Sequence, residues 1–134
     1  MITWNNLDKL TSYQELEKTE SVDLAAVMAG ENGAERVKNY SVPMAEGLAY
    51  NYAAKKVDDT VLAALEKLAE EAQLTEKFEA LYNGEVVNTG EKRLVLHHMT
   101  RGQLGDAVEA DGVDKRTFYV EQQKKIAEFA NKVH

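Results

Sequence analysis

The sequence predicts a mainly α-helical fold with one or two small β-hairpins. Apolar residues recur at one-face helical spacing along residues 58–73, which is typical of an amphipathic helix. Apolar and polar residues alternate along residues 40–52, which is typical of paired strands. The chain has 134 residues and is 44% hydrophobic, which suits one ordinary domain with a core of its own. No repeat, low-complexity linker or internal domain boundary is visible.

Two short helices are predicted near the N-terminus. Asn6 could cap the first one, or Ser12 with Glu15 could form a capping box for a slightly later start. The second short helix is predicted to be capped by Ser21 and to end at Gly30.

A turn and a hairpin follow. Residues 31–33 (Glu-Asn-Gly) are typical of a turn, and a short helical turn is predicted through Arg36 and Val37. Residues 40–52 predict a β-hairpin, in which Pro43, the only proline, forces an edge position or a strand end.

The clearest helix is predicted to open at Asp58 and Asp59, whose charges suit a helix N-terminus. Its apolar face consists of Val61, Leu62, Leu65, Leu68, Ala69 and Ala72. Thr75 is the predicted cap of the next helix, which Asn83 and Gly84 close.

The last third of the chain predicts a short extended piece and a long helix. Residues 106–112 read as extended and end in an Asp-Gly turn, and Asp114 is the predicted cap of the final helix. The apolar side of that helix comprises Phe118, Ile126, Phe129, Ala130 and Val133.

Composition excludes several functional classes. The formal net charge of −7 argues against nucleic acid and anionic membranes as partners. The chain has no cysteine, which excludes disulfides, thiolate-bound metals and thiol nucleophiles. The N-terminus lacks the pattern of a signal peptide, and no stretch has the length of a transmembrane helix. A cytoplasmic protein is the expectation.

Histidine is the residue type best suited to acid–base chemistry near neutral pH. His97 and His98 are adjacent, so on a helix their side chains diverge and do not form one metal site. We expect one of the two to be buried and hydrogen-bonded while the other faces outward. An acid–base enzyme using either histidine remains an alternative, and no metal is predicted.

The other charged groups are expected on the protein surface and not in a functional site. The carboxylate pairs at residues 58–59 and 70–71 are expected on a solvated helix face, because nothing local marks a cleft. Residues 88–91 and 101–105 hold too few small residues for a phosphate cradle, and turns are expected there. Two basic pairs are expected to form surface ion pairs: Lys92-Arg93 and Lys115-Arg116.

One segment resembles a known family. Residues 88–101 read Asn-Thr-Gly-Glu-Lys-Arg-Leu-Val-Leu-His-His-Met-Thr-Arg, which is similar to the N-terminal motif of glucose-6-phosphate isomerases. The positions in register are Asn88, Glu91, Arg93, Val95, Leu96, His97 and Arg101. The lead-in at residues 48–55 and 78–88 and the closing helix also resemble the family. Gly90 and His98 depart from it, since the family usually has Thr and a small or apolar residue there, and His98 suggests a bacterial subgroup.

The resemblance implies that residues 1–134 are the N-terminal segment of such an isomerase, ending before the first phosphate loop. The full enzyme implied is a homodimer of two-domain α/β sugar-isomerase (SIS) subunits. It interconverts glucose 6-phosphate and fructose 6-phosphate in glycolysis and gluconeogenesis, without a cofactor. No position here matches the family's glutamate base or catalytic histidine. No catalytic, substrate-binding or metal site residue is therefore predicted in this chain, and His97 is expected to be structural.

Two further expectations complete the sequence-based picture. Residues 88–101 should form the structural centre, with Leu94, Val95 and Leu96 as the apolar run. The final helix should expose apolar residues that the rest of the enzyme would cover. The alternative to an enzyme segment is a stand-alone helical interaction module derived from the isomerase N-terminus.

Overall fold

The structure, a computed structural model, describes residues 1–102 and 105–133. It divides into two compact units. The first unit comprises residues 5–72, and the second unit comprises residues 1–4 together with residue 73 onward. The expectation of a chain without an internal boundary is therefore wrong. The boundary falls between two helices at Gln73, which has φ 53°, and no glycine, proline or polar run marks it in the sequence.

The first unit contains four helices, a 3₁₀ turn and one hairpin among its residues. In chain order these are a 3₁₀ turn at Leu7–Lys9, α1 (Thr11–Leu16), α2 (Leu24–Val27), α3 (Gly30–Asn39), β1 (Ser41–Pro43), β2 (Ala49–Asn51) and α4 (Asp59–Glu71). The predicted hairpin is confirmed, since β1 and β2 pair antiparallel with Val42 opposite Tyr50. The predicted opening of α4 is also confirmed, because the Asp58 side chain accepts a hydrogen bond from the Val61 backbone N–H at 2.9 Å.

The N-terminus of α1 is capped from a distance. The predicted capping box of Ser12 with Glu15 is wrong, because the Ser12 hydroxyl donates to Glu71 at the end of α4. The same carboxylate accepts from the backbone N–H groups of Thr11 at 3.1 Å and Ser12 at 2.7 Å. Capping motifs in a sequence are local, so the sequence does not reveal this long-range cap.

The short α2 and the longer α3 also differ from expectation. Asp23, and not Ser21, caps α2 by accepting from Ala26 N–H at 3.2 Å. Residues 31–33 are helical and not a turn. Gly33 allows a close approach of two backbones, since a Cβ there would lie 2.2 Å from the Met28 carbonyl oxygen.

Arg36 is a buried residue that connects α3 to the segment before α4 through hydrogen bonds. The residue is 7% exposed. Its guanidinium donates to three carbonyl oxygens that follow the hairpin: Ala53 at 2.8 Å, Lys55 at 3.0 Å and Val57 at 2.6 Å. The guanidinium also lies 4.1 Å from the centre of the Tyr40 ring. These bonds fix α3 against the chain that enters α4.

The second unit contains two helices and two hairpins in its described part. They are α5 (Leu74–Tyr82), β3 (Val86–Asn88), β4 (Arg93–Leu94), a 3₁₀ turn at His97–Thr100, β5 (Glu109–Ala110), β6 (Val113–Asp114) and α6 (Lys115–Val133). The end of α5 at Asn83 and Gly84 is as predicted. Thr75 is not its cap, because the helix begins one residue earlier, at Leu74.

The described residues thus hold three antiparallel strand pairs, where the sequence predicted one or two. The additional pair is β3–β4, in which Asn88 lies opposite Arg93. The predicted Asp-Gly turn at residues 111–112 joins β5 to β6, and Asp114 caps α6 by accepting from Thr117 N–H at 3.2 Å. Among the described helices, none is long and apolar enough to cross a bilayer.

The core of the second unit is small. It contains Met99 at 0% exposure, Ala80 at 1% and Val108 at 5%. Leu94, Val95 and Leu96 are only half-buried, so the fully buried residue of the 88–101 segment is Met99.

Candidate functional site

Arg116, the second residue of α6, is the charged centre of the second unit. The residue is 6% exposed. Its Nη2 donates to the Tyr82 carbonyl at 3.1 Å, and its Nε donates to the Asp106 carbonyl. The guanidinium lies 5.5 Å from the Tyr82 ring centre. The pair Lys115-Arg116 was expected on the surface, and for Arg116 that expectation is wrong.

Asp114 sets the position of Arg116. Its carboxylate accepts from the backbone N–H of Arg116 at 3.1 Å and of Val108 at 3.3 Å. The Thr117 hydroxyl also donates to it and, with the backbone N–H groups, holds the pKa of Asp114 below its ordinary value of 3.8. The Asp114 carboxylate is therefore ionised, and its oxygens already accept hydrogen bonds from backbone N–H groups and the Thr117 hydroxyl.

His98 approaches the same carbonyl from the 3₁₀ turn. Its Nε2 lies 3.1 Å from the Tyr82 carbonyl oxygen, so this nitrogen carries the hydrogen that is donated. Its ring stacks on Tyr82 with centres 4.8 Å apart. His98 is half-buried and His97 is exposed, as expected for one inward and one outward histidine. In the described residues His98 makes the contacts with Tyr82, and the structural role expected of His97 stays a prediction.

Two nitrogen atoms in this cluster lack partners among the described residues. His98 Nδ1 and Arg116 Nη1 are buried and make no hydrogen bond with that part of the chain. In the described part of the chain, Arg116 forms no ion pair with a carboxylate. A buried guanidinium without a counter-charge is unusual, because burial weakens the hydration of its charge.

An open hollow of about 560 Å³ lies beside the stacked rings. Its lining residues are Tyr82, His97, His98, Thr100, Arg101 and Gly102. Gln123 of α6 supports this edge by donating to the Thr100 carbonyl at 2.6 Å. The hollow is lined by the side chains of His97, His98 and Arg101, and none of its described lining residues is a carboxylate.

The remaining charged candidates are structural. Glu71 caps α1, and donation by the Ser12 hydroxyl holds the pKa of Glu71 below its ordinary value of 4.5. Asp58 caps α4. Asp59 and Glu70 are exposed, as predicted for a solvated face.

The exposed basic residues and the candidate loop at residues 88–91 are also structural. Arg93 lies 3.7 Å from Glu91 and Lys115 lies 3.4 Å from Asp111, which are the predicted surface ion pairs. Residues 88–91 form a turn that the Asn88 side chain closes by accepting from the backbone N–H of residue 91 at 3.1 Å. The loop at residues 101–105 lies partly outside the described residues. Among those described, no three His, Asp or Glu side chains group as metal ligands.

The burial of Arg36 and Arg116 is not predicted from the sequence. Their partners are main-chain carbonyls, which leave no trace in residue identity. For Arg116 one signal existed, because it lies four residues before Val120, on the side of α6 that turns inward.

Comparison with known proteins identifies the family. Residues 51–134 match the family model described as phosphoglucose isomerase. The glucose-6-phosphate isomerase of Treponema denticola is 52% identical over 136 residues, covering 98% of this chain and 26% of that protein. The isomerase of Treponema pallidum strain Nichols is 39% identical, with 99% and 26% covered. That of Borreliella burgdorferi strain B31 is 35% identical, with 100% and 25% covered.

The chain therefore belongs to the phosphoglucose isomerase family. It spans about a quarter of the length of the curated relatives it matches.

Proposed function

We propose that this chain works as the N-terminal segment of a glucose-6-phosphate isomerase. The complete enzyme interconverts glucose 6-phosphate and fructose 6-phosphate in glycolysis and gluconeogenesis. The observation that carries the proposal is the 52% identity to the Treponema denticola isomerase along 98% of the chain. Identity at that level over a whole segment is far more specific than one short motif.

The segment supplies scaffold and contributes no catalytic residue. Aldose–ketose isomerisation needs a base placed to move a proton next to a carbonyl. The two carboxylates whose pKa values are lowered, Glu71 and Asp114, are held ionised by helix N-termini and are engaged there. The reacting groups are therefore expected in the remaining three quarters of the enzyme.

The exposed face of α6 supports a role inside a larger protein. Ile126, Phe129 and Val133 lie on one side of the helix and are 67%, 70% and 70% exposed. All described residues of α6 beyond Gln122 are exposed. Fully burying such a side chain stabilises by roughly 1.5–3 kcal/mol, so an uncovered row of three is an unused docking surface. We assign that surface, the α6 ridge, to contact with the rest of the isomerase.

The complete enzyme is proposed to be a cytoplasmic homodimer of two-domain SIS subunits that acts on a sugar phosphate, with no cofactor and no nucleic-acid or membrane partner. The interaction-module alternative would need the α6 ridge to bind an unrelated protein. The gene sequence downstream of residue 134 separates the two readings, because continuation into the isomerase domains favours the enzyme.

A mixing experiment tests the proposal. The chain alone should not convert glucose 6-phosphate. The Treponema denticola isomerase without its matching segment should regain activity when this chain is added, and the Phe129→Asp variant should restore much less. Activity of the chain alone would overturn the scaffold role. Equal restoration by the variant would show that the α6 ridge is not the docking surface.

A further inference from the structure

The first unit carries an open apolar groove between its hairpin and α4. The groove has a volume of about 480 Å³. Its described lining residues are Val42, Tyr50, Tyr52, Lys55, Val57, Leu62 and Leu65. Single apolar side chains are common on protein surfaces, but a continuous apolar groove marks a surface that another protein element covers.

One face of the hairpin continues this groove. Val42 and Tyr50 lie opposite each other across the two strands, so their side chains share a face. The Met44 N–H donates to the Leu48 carbonyl at 2.9 Å, which makes these residues the next pair along that face, and both are 68% exposed. A two-stranded hairpin is at best marginally stable in water, so covering this face would stabilise it.

The aromatic wall of the groove is held in place within the first unit. The centre of the Tyr52 ring lies 6.1 Å from that of Tyr50 and 5.1 Å from that of Tyr40. The Tyr40 hydroxyl donates to Asp59 Oδ1 at the start of α4, at 3.3 Å. A preformed wall loses little side-chain freedom when a partner binds, which favours association.

Lys55 is the one charged residue among the described residues that line the groove. It is exposed, and its ammonium forms no ion pair or hydrogen bond with the described part of the chain. Covering an unpaired ammonium with apolar groups costs free energy unless the covering segment supplies a carboxylate. The groove therefore fits an apolar segment that carries an Asp or Glu side chain opposite Lys55.

We propose that this groove docks an apolar segment of the isomerase polypeptide outside these 134 residues, with a carboxylate paired to Lys55. The inference rests on the proposed function, because the chain spans about a quarter of its relatives' length and the remaining three quarters supply the segment. The groove belongs to the first unit and the α6 ridge to the second, so each unit has its own contact with the rest of the enzyme.

Cysteine labelling tests the proposal, because the chain itself has no cysteine. Val42→Cys is a small change that places a thiol in the groove. Ala49→Cys is the matched control, since residue 49 is exposed on the opposite face of the same hairpin. Each variant is made in the isolated chain and in a chimera in which the chain replaces the matching segment of the Treponema denticola isomerase. Mass spectrometry follows the reaction of the introduced cysteine with a maleimide.

Both thiols should react rapidly in the isolated chain. In the chimera, Val42→Cys should react at least about tenfold more slowly while Ala49→Cys stays within about twofold, because a covered thiol reacts only after local opening. Adding Lys55→Glu should raise the labelling rate of Val42→Cys several-fold, because it sets two negative charges together. Lys56→Glu, at an exposed neighbour outside the groove, should not.

The isomerase activity of the chimera is measured separately, so the two proposals can fail separately. Labelling of Val42→Cys at the same rate in the chimera and the isolated chain would overturn the docking inference, whatever the activity. Equal protection of both thiols would also overturn it, and equal effects of the two lysine variants would overturn the paired carboxylate. An inactive chimera in which only Val42→Cys is protected would support the groove and count against the proposed function.

Discussion

Replacing Gly84 by alanine should destabilise the second unit more than replacing Gly112, a glycine with a similar positive φ. Gly84 has φ +75° and closes α5, and a Cβ there would lie 2.3 Å from Val108 Cγ1 and 2.9 Å from Val108 Cγ2. Val108 is 5% exposed, so moving its side chain aside would disturb the residues packed around it. Two costs therefore add at this position.

The first cost is the left-handed backbone, about 1–2 kcal/mol for a residue with a Cβ. The second is overpacking of a buried contact, about 1–3 kcal/mol. Gly84→Ala should then lower the free energy of unfolding by about 2–5 kcal/mol. Gly112 has φ +71° with nothing within 4 Å of a Cβ, so Gly112→Ala should show only the first cost.

Urea unfolding followed by tryptophan fluorescence measures this difference. Trp4 is the only tryptophan and belongs to the second unit, where Lys77 Nζ lies 5.4 Å from its ring centre. Equal losses for Gly84→Ala and Gly112→Ala would refute the packing argument. A loss below about 1 kcal/mol for Gly84→Ala would contradict both costs.

Three further outcomes are expected. Met99→Ala should cost about 2–5 kcal/mol and Leu96→Ala less, because only Met99 is fully buried, and denaturant unfolding compares them. Glu71 has a lowered pKa, so its contribution to the stability of the first unit is present above its ordinary value of 4.5 and lost as pH falls below it. Ser12→Ala should flatten that dependence in thermal melts between about pH 5 and pH 2, and an unchanged slope would exclude the Ser12 hydroxyl as its cause. The isolated chain should self-associate through the α6 ridge, and Phe129→Asp should reduce its sedimentation coefficient towards the monomer value.

The elements that depend on residues close together in the sequence were predicted correctly. The helix after Asp58, the hairpin around Val42 and Tyr50, and the cap at Asp114 all depend on neighbours in sequence, and all are present. The exposed apolar face of α6 was also predicted, because its spacing is visible in the residues themselves.

Interactions between distant residues were not predictable in this way. Ser12 looked like half of a local capping box, yet its hydroxyl is taken by Glu71 in a helix far along the chain. Arg116 was expected as a surface charge, but it is buried and donates hydrogen bonds to two main-chain carbonyls. Glu71 is one of many carboxylates in the sequence, and main-chain carbonyls belong to every residue, so these partners become visible only once the chain is folded.

The isomerase rate of a chimeric enzyme tests the central claim most directly. The chimera carries this chain in place of the matching 136-residue segment of the Treponema denticola isomerase. If the chain is a scaffold segment of that enzyme family, the chimera should fold and convert glucose 6-phosphate to fructose 6-phosphate within about tenfold of the parent rate, since no reacting group is exchanged. A chimera that folds but has lost the activity would contradict the account, because it would place essential chemistry within these 134 residues.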